Sequence, residues 1–186
     1  MQNWLDPSST DSTFRLQMKE LGETGVTVLP NVFSSAVVAE ARLLVLGNLD
    51  LMANTRRTPN SRHLAGFHRF KPLKDLHEEL NANPLIQSFM SDCLGPNHYA
   101  IGLSDITINR SQQWHKDLLR GRFQHYLGEG HDSTSNRGKC FKIIQYLQDS
   151  DSLCIVPGSH KTNIPLESDS EAIPLSKDLV QSISVQ

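Results

Sequence analysis

The hydrophobic period of this chain changes at Gly95, and a fold that accommodates it must pack helices against a strand-built core. Before that glycine, apolar residues recur at helical spacing. Phe14, Met18 and Leu21 stand at i, i+4 and i+7 behind Asp11 or Ser12 as caps, with Gly22 as the expected stop. Val37, Val38, Ala41, Leu44 and Val45 share one face behind Ser34 and Ser35. Helical spacing resumes over 73–94, with an interruption near Asn83-Pro84. Between these lie G-V-T-V-L-P (25–30), whose β-branched residues predict a short strand, and a polar stretch at 53–72, which reads as a connection with local turns.

After Gly95 the period is 2. Strands are expected over 98–103, 105–110, 113–117, 122–127, 141–149 and 153–156, and 179–186 alternates apolar and polar to the last residue. The glycine-rich segment 128–139 reads as a loop or a lid, and P-G-S-H-K (157–161) as a turn. Evenly spaced short strands predict a sandwich or barrel. The expectation is one α+β domain over 1–186 with a mainly β core, a helical front at 1–95 and the β core at 96–186.

At 186 residues the chain is long enough to bury a core without disulfides or metal. Eighteen Lys and Arg against twenty Asp and Glu give a net charge of −2, and no basic cluster tracks a phosphate backbone, so nucleic acid is not an expected partner. Cys93, Cys140 and Cys154 are odd in number and widely spaced, which suits a reducing compartment, the cytoplasm in the simplest case. Cys154, between Leu153 and Ile155, reads as a small buried hydrophobe. No run approaches the roughly eighteen apolar residues of a membrane span.

The chemistry is concentrated in Q-W-H-K-D-L (113–118). On a strand, His115 and Asp117 project to the same face while Lys116 points away. An imidazole, a carboxylate and one further histidine form the facial triad that binds non-haem Fe(II) with positions left open for a co-substrate and oxygen. Alone, H-x-D is a weak signal, since a polar strand face produces it by chance. Trp114 and Lys116 flank the ligands as secondary candidates for cofactor contact, although a strand tryptophan is more often a core aromatic.

Four segments in order resemble the phytanoyl-CoA dioxygenase family of Fe(II)/2-oxoglutarate-dependent oxygenases. L-G-E-T-G-V-T-V-L-P-N-V-F-S (21–34) is similar to the family's opening segment, Q-W-H-K-D-L to its W-H-x-D, Y-L-Q-D (146–149) to its strand before the variable loop, and V-P-G-S-H-K (156–161) to its P-G-S-H-K turn. The resemblance implies a double-stranded β-helix, a cupin-like jelly roll with the N-terminal helices packed on one side. It implies that His115 and Asp117 hold Fe(II), that 2-oxoglutarate is the co-substrate, and that a C–H bond of a small organic molecule is hydroxylated with release of succinate and CO2. The family pattern also requires a distal histidine and a 2-oxoglutarate-binding arginine beyond a stretch like L-V-Q-S-I-S-V-Q, where this sequence stops.

The jelly roll is therefore expected to be incomplete at its C-terminus, with late strands missing and self-association through unpaired edges. Substitutes for the third ligand are few. His160 belongs to the turn in the family pattern, His125 is a lone strand histidine, and His131-Asp132 sits in the loop. Arg110, Arg120, Arg122 and Lys142 offer charge near the motif, but Lys142 lacks the planar fork that pairs two carboxylate oxygens. The alternative reading is a truncated, catalytically inactive homologue that acts as a binding or regulatory module.

Overall fold

The computed structural model describes residues 14–55, 60–102, 104–112, 114, 140–161 and 180–185. In chain order the elements are α1 (Arg15–Thr24), α2 (Ser35–Leu46), β1 (Ala53–Asn54), β2 (Arg62–Ala65), α3 (Lys71–Asn81), α4 (Pro84–Leu94), β3 (Asp105–Ile108), β4 (Ser150–Ile155) and β5 (Gln181–Val185). Single 3-10 turns stand at Leu49–Leu51, Phe67–Arg69 and Ser159–Lys161. The described residues mix helix and strand and divide into two compact units, one drawn from 14–30 and the described residues from 114 onward, the other from 31–112. Among the described residues no helix is long and apolar enough to cross a membrane.

In the 31–112 unit, α2 begins where Ser34 accepts a hydrogen bond from the Val37 amide, and it buries Ala41 and Val45. The expected interruption at Asn83-Pro84 separates two helices. Asn83 Oδ1 accepts from the Leu85 and Ile86 amides at 2.9 and 3.4 Å, while Pro84 occupies the first turn, where its missing N–H costs nothing. Asn83 Nδ2 also donates to the Val32 carbonyl at 3.2 Å, which ties the cap to the residues before α2. The core-facing residues of α3 are Leu73, Leu76 and Leu80, at i, i+3 and i+7, and Leu73 is 0% exposed. Ile86, Phe89, Met90 and Cys93 are the buried residues of α4.

The stretch 53–72, expected to be a connection, instead contains two strands of a three-stranded antiparallel sheet of order β1-β2-β3. Leu64 pairs with Ile106 and His63 with Thr107 in the β2–β3 register. The strands are short and mostly polar, and Leu64 is the only buried residue of β2, so period-2 alternation is absent from the sequence there. Ser61, 1% exposed, is satisfied by hydrogen bonding through its hydroxyl to Thr55 Oγ1 and through its carbonyl to the Thr55 amide. The strand expected at 98–103 is not formed among its described residues, and the ladder begins at Asp105.

In the other unit, α1 passes through Gly22 and ends two residues later, at Thr24. The stop is Gly25, in the left-handed region at φ 89°, whose amide closes onto the Leu21 carbonyl at 2.9 Å. Residues 26–29 therefore leave a helix cap and join no strand ladder, contrary to the strand expected at 25–30. The second sheet pairs β4 with β5 antiparallel, through Leu153–Ile183, Cys154–Ser182 and Ile155–Gln181, with an irregularity between Ser150 and Leu153. Ile183 is its buried residue. The strand expected over 141–149 does not form, and Ile143 and Ile144 are 47% and 45% exposed. Adjacent apolar residues that are both exposed do not present one face to a core.

Candidate functional site

Of the Q-W-H-K-D-L segment, Trp114 is a half-buried residue in a bend. His115, Lys116 and Asp117 lie outside the described residues, as do Arg120, Arg122, His125, His131 and Asp132. Among the described residues no group of three or more His, Cys, Asp or Glu side chains is placed to hold a metal ion.

Two other segments of the resemblance meet directly. β4 delivers the chain to Pro157-Gly158, and the turn closes with Ser159 N–H on the Val156 carbonyl at 3.1 Å and Lys161 N–H on the Gly158 carbonyl at 3.0 Å. The Gly158 amide donates to the Thr24 carbonyl at 2.8 Å, at the end of α1. His160 lies over Gly25: a Cβ on that glycine would stand 2.5 Å from Nδ1 and 2.9 Å from Cγ of the imidazole. The P-G-S-H-K turn is thus docked on the L-G-E-T-G-V segment. Thr24 secures the other side, with its hydroxyl hydrogen-bonded to the carbonyls of Glu20 and Val26 at 2.9 and 2.8 Å.

Both ring nitrogens of His160 are buried, and neither makes an aligned hydrogen bond among the described residues. Burial lowers its pKa below 6.5 and Lys161 adds to the effect, outweighing the backbone groups of Gly22 and Thr24 that favour the charged ring. The imidazole of His160 is thus packed on Gly25 where the turn meets the end of α1.

The remaining candidates are dispersed. The Arg110 Nε is buried without a hydrogen-bond partner among the described residues, whereas Lys142 is exposed. Cys154, expected to be buried, is exposed. Its neighbours Leu153 and Ile155 take the half-buried side of β4, so strict alternation turns the thiol outward.

A histidine cluster that the sequence did not signal stands in the 31–112 unit. His63 on β2 lies 3.0 Å from Asp105 Oδ2 on β3, and Asp105 Oδ1 accepts from the Gly66 amide at 3.2 Å. His68 Nδ1 lies 2.9 Å from the Ser104 hydroxyl. The His68 and His77 rings are 5.0 Å apart between centroids, and Phe67 meets His77 edge-on at 5.1 Å. Serine, histidine and aspartate are all present, but they form two separate pairs. Ser104 engages one imidazole and Asp105 another, so within this cluster of described residues no histidine bridges a hydroxyl to a carboxylate as nucleophile activation requires. The signal that could have found the cluster is the match of R-H-L-A to D-I-T-I, which sets His63 beside Asp105 across 42 positions of sequence.

No family model matches the chain, and neither the curated proteins nor the solved structures contain a match to it.

Proposed function

We propose that this chain belongs to the non-haem Fe(II)- and 2-oxoglutarate-dependent oxygenases. In this reading it hydroxylates a C–H bond of a small organic substrate and releases succinate and CO2. The observation that carries the reading is the docking of the 156–161 turn on the 21–30 segment, through Gly158 to Thr24 and His160 to Gly25. Two segments that resemble one family in sequence, and that are far apart along the chain, are in contact in one unit. The contact brings the two segments into one packed unit, which supports reading them as parts of one fold, with a jelly-roll core as its proposed form.

His115 and Asp117 are the residues proposed to hold the metal. A neutral imidazole and a carboxylate are donors that suit Fe(II), and the metal would supply oxygen activation. The part left to the chain is to orient substrate and co-substrate and to exclude water. Trp114, half-buried and adjacent to His115 in sequence, is suited to the second of these tasks, and Lys116 is a secondary candidate for co-substrate contact.

The test is succinate release from 2-oxoglutarate by the purified chain with Fe(II) and oxygen, alongside Fe(II) binding measured by calorimetry. Iron-dependent succinate release that Asp117→Ala abolishes would support the assignment, with Asp105→Asn as a control carboxylate outside the motif. Metal binding that Asp117→Ala leaves unchanged would reject it. Folded protein with neither activity nor metal binding would favour a binding or regulatory module.

A further inference from the structure

The His68–His77 contact joins a 3-10 turn to a helix, and among the described residues neither ring is hydrogen-bonded to a carboxylate. His68 sits in the Phe67–Arg69 turn, which leaves β2 through Gly66. Its Nδ1 is engaged by the Ser104 hydroxyl, a neutral group that binds either charge state of the ring. His77 lies on the flank of α3, half-buried, between the edge contact of Phe67 and the tilted ring of His68. Phe67 is itself buried, so the two ring contacts are part of the packing between turn and helix.

We propose that the His68–His77 pair is a proton-sensitive latch between the 3-10 turn and α3, closed while at most one ring is charged and opened when acid charges both. Two imidazolium rings at 5.0 Å repel each other across a partly dehydrated gap, and separating the turn from the helix relieves that repulsion.

The charged groups around the pair do not cancel this effect. Glu78 favours a charged His77, but it is drawn to Lys74 at 3.4 Å on the same helix. Asp105, on the sheet side next to Ser104, is occupied by His63 and the Gly66 amide. Arg69, in the turn itself, is held by the carbonyls of Gly66 and Ala65 and adds positive charge. On α2, which also packs against α3, Glu40 and Arg42 are exposed. In accord with this balance, burial and then His68 lower the His77 pKa below 6.5, against the smaller opposing effect of Glu78.

The direction follows by linkage. The open state, with a freely solvated ring, binds more protons than the closed state over the window below pH 6.5, so closure is fully favoured above it and weakens as pH falls. The device is independent of the proposed oxygenase chemistry, because neither histidine belongs to the metal motif.

The experiment is an NMR titration of the histidine ring protons in the full chain from pH 8 to 5. Amide hydrogen exchange along α3 and α4, corrected for intrinsic rates, is measured in parallel. In the wild type, His77 should titrate below 6.5, and protection of the α3 amides should fall severalfold between pH 7.5 and 5.5 while α4 changes less. His68→Gln should raise the His77 pKa and flatten the α3 response, and His77→Gln should flatten it as well. The proposal is overturned if His68→Gln leaves the His77 titration unchanged, or if α3 and α4 lose protection equally in the wild type. Because His68→Gln replaces a half-buried ring and retains side-chain hydrogen bonding to Ser104, it tests the latch even where His77→Gln does not fold.

Discussion

The imidazole of His160 occupies the space that a side chain at residue 25 would need. Gly25 has φ 89°, and a Cβ there would approach Nδ1 of His160 to 2.5 Å, closer than nonbonded atoms tolerate. Gly25→Ala therefore combines a left-handed alanine with a steric clash in the clasp between α1 and the 156–161 turn. We expect a loss of about 1–3 kcal/mol in urea unfolding. In a double-mutant cycle with His160→Ala, the clash is relieved and the backbone strain is not, so the two losses should be less than additive. Full additivity would mean that the ring and the glycine do not meet in solution.

A second expectation concerns acid. The folded chain holds His160 with its pKa lowered, mainly by burial, while the unfolded ring titrates near 6.5. Between these values the unfolded state carries more protons, so the contribution of a neutral His160 is complete above pH 6.5 and declines as pH falls below it. Unfolding free energies of the wild type and His160→Gln, compared at pH 7.5 and 5.5, should show a smaller acid loss in the variant. Equal pH dependence in the two proteins would place the sensitivity elsewhere.

How much of the fold is legible in the sequence differs between elements for physical reasons. The α3–α4 break was readable because Asn83 and Pro84 act locally, as cap and first-turn residue, on the helix they begin. β2 was not readable. Its four residues bury one side chain, and its partner β3 lies about forty positions downstream, so nothing in the window 53–72 marks a strand. The expected stop of α1 is Gly22, but the helix runs on to Gly25, because either glycine can end a helix and the contact of Gly25 with His160 is set by a segment more than 130 positions away. The metal motif was visible as spacing, but His115 and Asp117 lie outside the described residues, while the histidine cluster came from pairing that no local pattern encodes.

The Asn83 cap links α4 to the segment before α2, and its removal should be felt in both. Asn83→Ala deletes acceptance from the Leu85 and Ile86 amides and donation to the Val32 carbonyl. A loss of about 2 kcal/mol is expected from cap and tether together. Asn83→Asp keeps the acceptor at the helix start and loses the donor to Val32, so it should recover part of the loss. Chemical denaturation of the three proteins decides this, and an Asp variant no better than alanine would locate the effect in the tether alone.

The last expectation uses the three thiols as reporters of packing. Cys93 is 4% exposed on the buried side of α4, whereas Cys140 and Cys154 are exposed. With a charged, water-soluble thiol reagent at neutral pH, the native chain should react at Cys140 and Cys154, because the reagent needs access to the thiolate. Cys93 should react only as fast as its unit opens, and its rate should rise with urea in parallel with the unfolding of α4. Peptide mass mapping after brief labelling separates the three sites. Native labelling of Cys93 at the rate of Cys154 would show that the α4 core is not packed as the burial of Ile86, Phe89 and Met90 beside it requires.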